Sequence, residues 1–314
     1  MANYDIFNGD ADGIISLVQL RLSKPRDAEL VTGRKRDIKL LSRVDAGEGD
    51  RLTVLDISMR SNADDLRRVL DAGASVQYFD HHNAGEIPDH PSLDATINTA
   101  GEICTAVLVD EHLKGAHRAW AVAAAYGDNF PAMAERLAKG HDLPLSLLRE
   151  LGEMVNYNGY GGTEADLHFH PAELYREMAG FKTPMAFIDA KPEVLGKLTD
   201  GYHNDFDLAD QSKVVLSDTD CEARVLPDAA GSRRISGMFG NQLAQDNPER
   251  AHAILTAQEG GYLVSIRAPI SRRSGADTLA LQFETGGGRA AAAGVNHLPD
   301  SELDRFLKAF RAAF

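Results

Sequence analysis

The sequence predicts an α/β fold: a parallel-sheet domain with flanking helices, followed by a smaller C-terminal α/β domain. Three observations predict it. Short apolar runs, "YDIF", "LTVLDI", "VQYF" and "ATINT", alternate with the helical patterns "IISLVQLRL", "NADDLRRVLDAG" and "EICTAVLVDEHL". Strand, crossover helix, strand is the rhythm of a parallel sheet. The chain then turns helical, in "AWAVAAAYGDNFPAMAERLAKG", "LPLSLLRELGEMVNY" and "PAELYREMAG", before the polar stretch "GYHNDFDLADQSK", which reads as a connecting helix or linker. Beyond it the pattern begins afresh with strand-like "CEARVLP", helix-like "RRISGMFGNQLAQ" and the strand pair "AHAILTAQEGGYLVSIRAP". The expected organisation is a sheet domain over residues 1–190, a connector over 191–220 and a second domain over 221–314.

Bulk composition is consistent with this division. A chain of 314 residues, 43% apolar and 25% charged, is long enough to bury two cores. The start, "MANYDIFNGDADG", has no basic segment leading into an apolar stretch, and no window approaches the roughly 18 apolar residues of a membrane span. Neither secretion nor a membrane partner is expected. Cys104 and Cys221 lie far apart, which suggests neither a metal-binding pair nor a disulfide framework, so the expected compartment is the cytoplasm. Residues 221–314 hold 11 basic and 10 acidic residues, leaving 22 basic against 37 acidic in residues 1–220. This balance speaks against a long duplex DNA partner, which wants a broad basic face, and leaves short phosphate ligands open. A homodimer is also left open.

Acidic and imidazole residues recur just after the predicted strands. Asp10 and Asp12 follow the first, Asp56 ends "LTVLDIS", and Asp80, His81 and His82 end "VQYFDHH"; Asp128 leaves a later apolar helix in "AAAYGDNF". Ligands of open parallel sheets bind beyond the carboxyl ends of the strands, where residues distant in sequence converge. Each motif alone has a plainer reading. Asp-x-Asp-Gly is a common turn, Asp56 or Ser58 can cap a helix, the Asp-His-His triplet can be a solvated loop, and Asp128-Asn129 can simply end a helix. Taken together they point to a metal centre, and oxygen ligands with imidazole suit Mn²⁺ or Mg²⁺.

In order and spacing, "NGDADG", "VLDIS", "FDHH" and "YGDN" resemble the four motifs of the DHH phosphoesterase family, and "VSIRAP" with "GGGRAAAAG" resembles the glycine-rich segment of its DHH-associated C-terminal domain. The resemblance spans nearly the whole chain. It implies an active site in the cleft between the two domains and two Mn²⁺ (or Mg²⁺) ions. Asp10 would bind one ion and Asp12 the other; Asp56 would bridge them, and His81 and Asp128 would complete the second site. Asp80 would orient an imidazole and His82 would reach the substrate phosphate. One departure concerns the position four residues before Asp10, where many relatives carry histidine and this chain has Ile6. Asn8 lies closer but is a weaker ligand, so the first ion is expected to be held more loosely.

Further candidates lie downstream. Gly286, Gly287 and Gly288 would let backbone amides approach an anion beside Arg289, with the alanines behind read as a helix start, and Arg267 is a second phosphate contact. Arg289 stands where relatives usually have histidine. Arg267 as a surface charge is the plainer reading, and a solvated loop is the better one for Arg272 and Arg273. In "NYNGYGGTEADLHFHP", Tyr157 and Tyr160 are candidates for stacking on bases, and His168 and His170, read as His-x-His on a strand, for phosphate or metal contact; interdomain aromatic packing competes. The expected activity is metal-dependent hydrolysis of short single-stranded oligonucleotides or linear dinucleotides to nucleoside monophosphates. The alternatives are an exopolyphosphatase or pyrophosphatase-type hydrolase and a non-catalytic nucleotide-binding protein.

Overall fold

Val54, Leu55, Tyr78 and Phe79 are almost wholly buried, the signature of strands covered on both faces. A computed structural model describes all 314 residues. The chain divides into two units, Met1–Thr199 and Asp200–Phe314.

In the first unit, β1 (Asn3–Phe7) leads into α1 (Ala11–Ser23) and the short β2 (Glu29–Val31); β3 (Arg51–Leu55) is followed by α2 (Ala63–Asp71), β4 (Ser75–Asp80) and β5 (Leu93–Ile97). All pairings are parallel, in the order β2-β1-β3-β4-β5. The order reverses between β1 and β3, so the crevice beyond their carboxyl ends is where such a sheet holds its ligand. The α2 helix shows how the sequence builds these layers. Leu66, Val69 and Leu70 share one buried stripe, while Asp64 and Asp65 sit in the first turn, where the helix dipole favours acids. Each such apolar side chain contributes about 1.5–3 kcal/mol through burial.

Helices α3 (Thr105–His112), α4 (Arg118–Gly127), α5 (Pro131–Ala138), α6 (Leu145–Asn158), α7 (Pro171–Met178) and α8 (Pro184–Ala190) follow. The run "AWAVAAAYGDNFPAMAERLAKG" is therefore two helices. Asn129 takes a left-handed φ of 62° and Pro131 opens α5, so the chain turns at Asp128. Close packing of α4 on α6 demands glycine: a Cβ on Gly152 would lie 1.9 Å from the Ala123 carbonyl oxygen. Helix α9 (Pro192–Asp210) contains the division between the units.

The second unit is a mixed sheet of β6 (Lys213–Ser217), β7 (Cys221–Leu226), β8 (Ala251–Gln258), β9 (Gly261–Arg267), β10 (Gly286–Arg289) and β11 (Ala292–Pro299), in the order β10-β11-β9-β8-β7-β6. With it go α10 (Ala230–Asp246), α11 (Ala276–Ala280) and α12 (Leu303–Ala313), whose Phe306 and Phe310 are fully buried in the core of this unit. β6 pairs antiparallel with β7, so this sheet begins before residue 221. As an edge strand with no buried position, β6 has little apolar signal to read. The expected helix start after Gly288 is corrected: "GGGRAAAAG" is the β10–β11 hairpin, in which Ala292 and Ala293 pair with Arg289 and Gly288. Gly286 and Gly288 serve packing, since a Cβ would lie 1.7 Å from the Ala280 carbonyl oxygen at the first and 2.4 Å from Ala293 Cα at the second. No helix dipole acts on an anion there.

No helix is long and apolar enough to cross a membrane.

Candidate metal centre

Asp10 is the N-cap of α1, its Oδ1 accepting from the Asp12 and Gly13 amides at 3.1 Å each. Asp12, in the first helical turn, is completely buried. Its Oδ2 accepts from the Thr105 amide and its Oδ1 from the Ala106 amide, both at 2.7 Å, so it caps the start of α3. Thr105 Oγ1 donates to Asp56 Oδ1 at 3.0 Å and ties the two carboxylates together. Asp56 leaves β3 with a left-handed φ of 59°, a conformation that few residues other than glycine, asparagine and aspartate adopt and that turns the carboxylate into the crevice.

The Asp-His-His triplet ends β4. His81 Nδ1 lies 2.8 Å from the Ile103 carbonyl oxygen, an acceptor only, so Nδ1 carries the hydrogen. Its Nε2 is left facing Asp56 Oδ1 at 3.5 Å, Asp128 Oδ2 at 3.6 Å and Asp12 Oδ2 at 3.8 Å. In the neutral ring Nε2 then presents a lone pair set among three carboxylate oxygens, an arrangement that a cation completes. His82 turns back, its Nδ1 donating to Asp80 Oδ1 at 2.8 Å, and its ring lies edge-on to His81 at 4.3 Å. Asp80 is fully buried and its Oδ2 has no hydrogen-bond partner.

The electrostatics follow from crowding. Burial, then repulsion from Asp12, Asp10 and Asp128, raises Asp56 well above the usual carboxylate range. Burial and the charges of Asp12 and Asp10 push Asp128 up to about 8. Asp56 and Asp128, held back from ionising by the charges around them, favour divalent cations, which restore the charge balance. His82 is raised by its hydrogen bond to Asp80, against burial. Burial pushes the Cys104 thiol up, so it offers no thiolate. Ligand atoms of Asp12, His81 and Asp128 lie within 4.8 Å of one another, as do those of Asp56, His81 and His82. The first group suits a hard divalent ion; in the second, His82 Nδ1 is already committed to Asp80.

Sequence reasoning missed Lys35. Its Nζ lies 2.8 Å from Asp10 Oδ2, 2.9 Å from Asn156 Oδ1 and 3.6 Å from Asp128 Oδ1. Burial works against the ammonium, but attraction from Asp10, Tyr160 and Asp128 wins and raises Lys35 above its usual value. Asp10 answers in kind: burial opposes its charge, but Lys35, the Gly13 amide and a hydrogen bond with Asp56 together outweigh burial, and the carboxyl stays below its ordinary range. Ile6 is fully buried in the apolar core beside Val54 and Val76, away from ligand duty. Asn8 is buried too; its Nδ2 donates to the Lys35 carbonyl and its Oδ1 has no hydrogen-bond partner. Thr105 was missed because its contribution is a backbone amide and a hydroxyl at a helix start, and the only signal was its place in "EICTAV".

The second-rank candidates separate. Tyr157 is fully buried and its hydroxyl lies 2.9 Å from His168 Nε2, which corrects its reading as a stacking platform. His168 and His170 lie in an irregular loop, not on a strand, and His170 Nδ1 accepts from the Ala172 amide as the N-cap of α7. Tyr160 is half-buried, with Lys35 Nζ 5.6 Å from its ring centre. In the second unit, Arg267 donates to Ser265 Oγ at 2.9 Å and the Gly237 carbonyl at 3.0 Å, while Arg289 is exposed. Ala292 pairs with both arginines, so Arg267 and Arg289 share one face of the sheet.

No protein-family model matches the chain, and no curated protein matches it in sequence. Solved structures do match it in fold. A DHH-domain protein from a family of ribosomal proteins superposes with a TM-score of 0.68 at 13% identity, over 99% of this chain and 86% of that one. Exonuclease RecJ bound to manganese superposes with a TM-score of 0.65 at 16% identity, over 99% and 89%. The pGpG-specific phosphodiesterase PggH of Vibrio cholerae superposes with a TM-score of 0.58 at 18% identity, over the full length of both chains. The chain has the fold of DHH-domain proteins.

Proposed function

We propose that this chain is a divalent-metal-dependent phosphoesterase of the DHH type that hydrolyses short single-stranded oligonucleotides or linear dinucleotides to nucleoside monophosphates. The observation that carries the reading is His81 Nε2, fixed in place by the Ile103 carbonyl and set among Asp12, Asp56 and Asp128. Asp10, Asp12, Asp56, His81 and Asp128 would hold Mn²⁺ or Mg²⁺. When bound, such ions polarise phosphoryl oxygens and lower the pKa of water.

The side chains supply the rest. Asp80 holds His82 by its Nδ1 hydrogen and favours the charged ring, so Nε2–H is available to donate to a phosphate oxygen or to the leaving oxygen. Lys35 adds positive charge at the edge of the cluster. Arg267 and Arg289 share a face in residues 221–314, whose other charges nearly cancel, and this fits capture of a substrate with few phosphates. The acidic balance of residues 1–220 argues against a long duplex. RecJ as an exonuclease and PggH as a pGpG-specific phosphodiesterase support the substrate class.

The test is incubation with Mn²⁺ and, separately, a labelled linear dinucleotide, a labelled short oligonucleotide and polyphosphate. Nucleoside monophosphates from the first two, abolished by a chelator, are the expected result. Phosphate released from polyphosphate alone overturns the nuclease reading. Tight nucleotide binding without product identifies a binding protein instead.

A further inference from the structure

We infer that Lys35 is an internal competitor for one of the two metal positions, so that two divalent ions bind with widely separated affinities, the weaker at the Asp10 side. The inference rests on the proposed metal centre and specifies how it fills. Its basis is the way Lys35 is held. The Lys35 amide donates to the Gly159 carbonyl at 2.9 Å, and its carbonyl accepts from Asn8 Nδ2 at 3.2 Å. The backbone is thus pinned to α6 on one side and to the loop after β1 on the other. From that fixed base the ammonium reaches Asp10 Oδ2, Asn156 Oδ1 and Asp128 Oδ1. A cation held by one carboxylate, one amide oxygen and a second, more distant carboxylate occupies the place of an ion bound by Asp10.

The two positions differ in what they offer. At one, Asp12, His81 and Asp128 present converging donor atoms with no internal cation nearer to Asp12. At the other, Asp10 already has a counter-charge, and Asn8 offers only a neutral oxygen, buried and lacking a hydrogen-bond partner. An incoming divalent ion there must displace the ammonium from Asp10. Asp128 faces both positions, its Oδ1 toward Lys35 and its Oδ2 toward His81. Filling the first position therefore loosens Lys35 only partly. Neutralising Lys35 without shortening it removes the competitor and leaves Asn8 and Asp10 in place.

Titration of the metal-free protein with Mn²⁺, followed by the electron paramagnetic resonance signal of the free ion and by calorimetry, tests this. Wild type is expected to take up one ion tightly and a second at least about tenfold more weakly. Lys35→Met is expected to tighten the second step by about tenfold or more and to move the first by less, bringing the two together. Lys35→Gln serves as a second neutral variant, and circular dichroism checks that both fold. If neither folds, the wild-type titration decides. Two equal sites in wild type, or a weak step unmoved in a folded Lys35 variant, overturn the competition and leave the phosphoesterase reading intact. Absence of any Mn²⁺ binding overturns both.

Discussion

Two ends of one sheet treat buried carboxylates in opposite ways. Asp5, on β1, is 1% exposed and receives Arg21 Nε at 2.7 Å and Arg26 at 2.7 Å, with Thr53 bridging both arginines. Asp56, past the end of β3, is equally buried, but Asp10, Asp12 and Asp128 crowd it and Lys35 is the only ammonium nearby. A buried charge with its partners in place serves the fold. A group of buried charges short of partners, held by strained backbone, leaves room for a cation to complete it. The contrast separates structural carboxylates from functional ones without reference to any motif.

The same substitution at the two ends should therefore have opposite effects. Asp56→Asn keeps a residue that tolerates the left-handed backbone and removes one of the crowded charges. Metal-dependent turnover should fall by about a thousandfold or more, while the metal-free protein melts at a higher temperature at pH 8. Asp5→Asn strands two arginines and should cost about 3–5 kcal/mol of stability, read by urea unfolding, with Mn²⁺ affinity unchanged. If both variants destabilise alike, the distinction fails.

A pH series sharpens the same point. Asp56 and Asp128 are raised in the folded state, so the folded protein binds more protons than the unfolded chain and stability falls as pH rises. For Asp128 the loss runs from about pH 4 to about pH 8, and the raised His82 acts in the same direction above its unfolded value. Between pH 5 and pH 8 the metal-free melting temperature should drop by about 5 °C or more, and excess Mg²⁺ should flatten the slope. A flat metal-free profile would mean that the carboxylates do not repel as the geometry implies. The smallest effect concerns the link between ligands. Thr105→Val keeps the shape and the Asp12 cap but removes the hydroxyl from Asp56, and should weaken Mn²⁺ binding by about tenfold.

What could be read in advance divides along the same physical line. Strands β1, β3 and β4 and the acids after them were legible, because buried parallel strands are largely apolar runs and ligands collect at their carboxyl ends. Lys35 was not, since β2 is three residues long and its only fully buried position is Val31 at the very end. Its partner Asn156 lies on α6, 121 residues further along the chain, so only tertiary structure joins them. The pairing of Arg21 and Arg26 with Asp5 is likewise made only by the folded chain. "GGGRAAAAG" misled because alanine favours helices, whereas pairing with β9 and β10 decides its state here.

Asp12 spends both oxygens on the first amides of α3 while offering its remaining lone pairs to the crevice. The segment that carries the ligand and the helix it grips are therefore one part. Anyone grafting this centre onto another scaffold would have to transplant α1 and α3 as a docked pair; five well-chosen side chains on foreign loops would leave the deepest of them without its anchor.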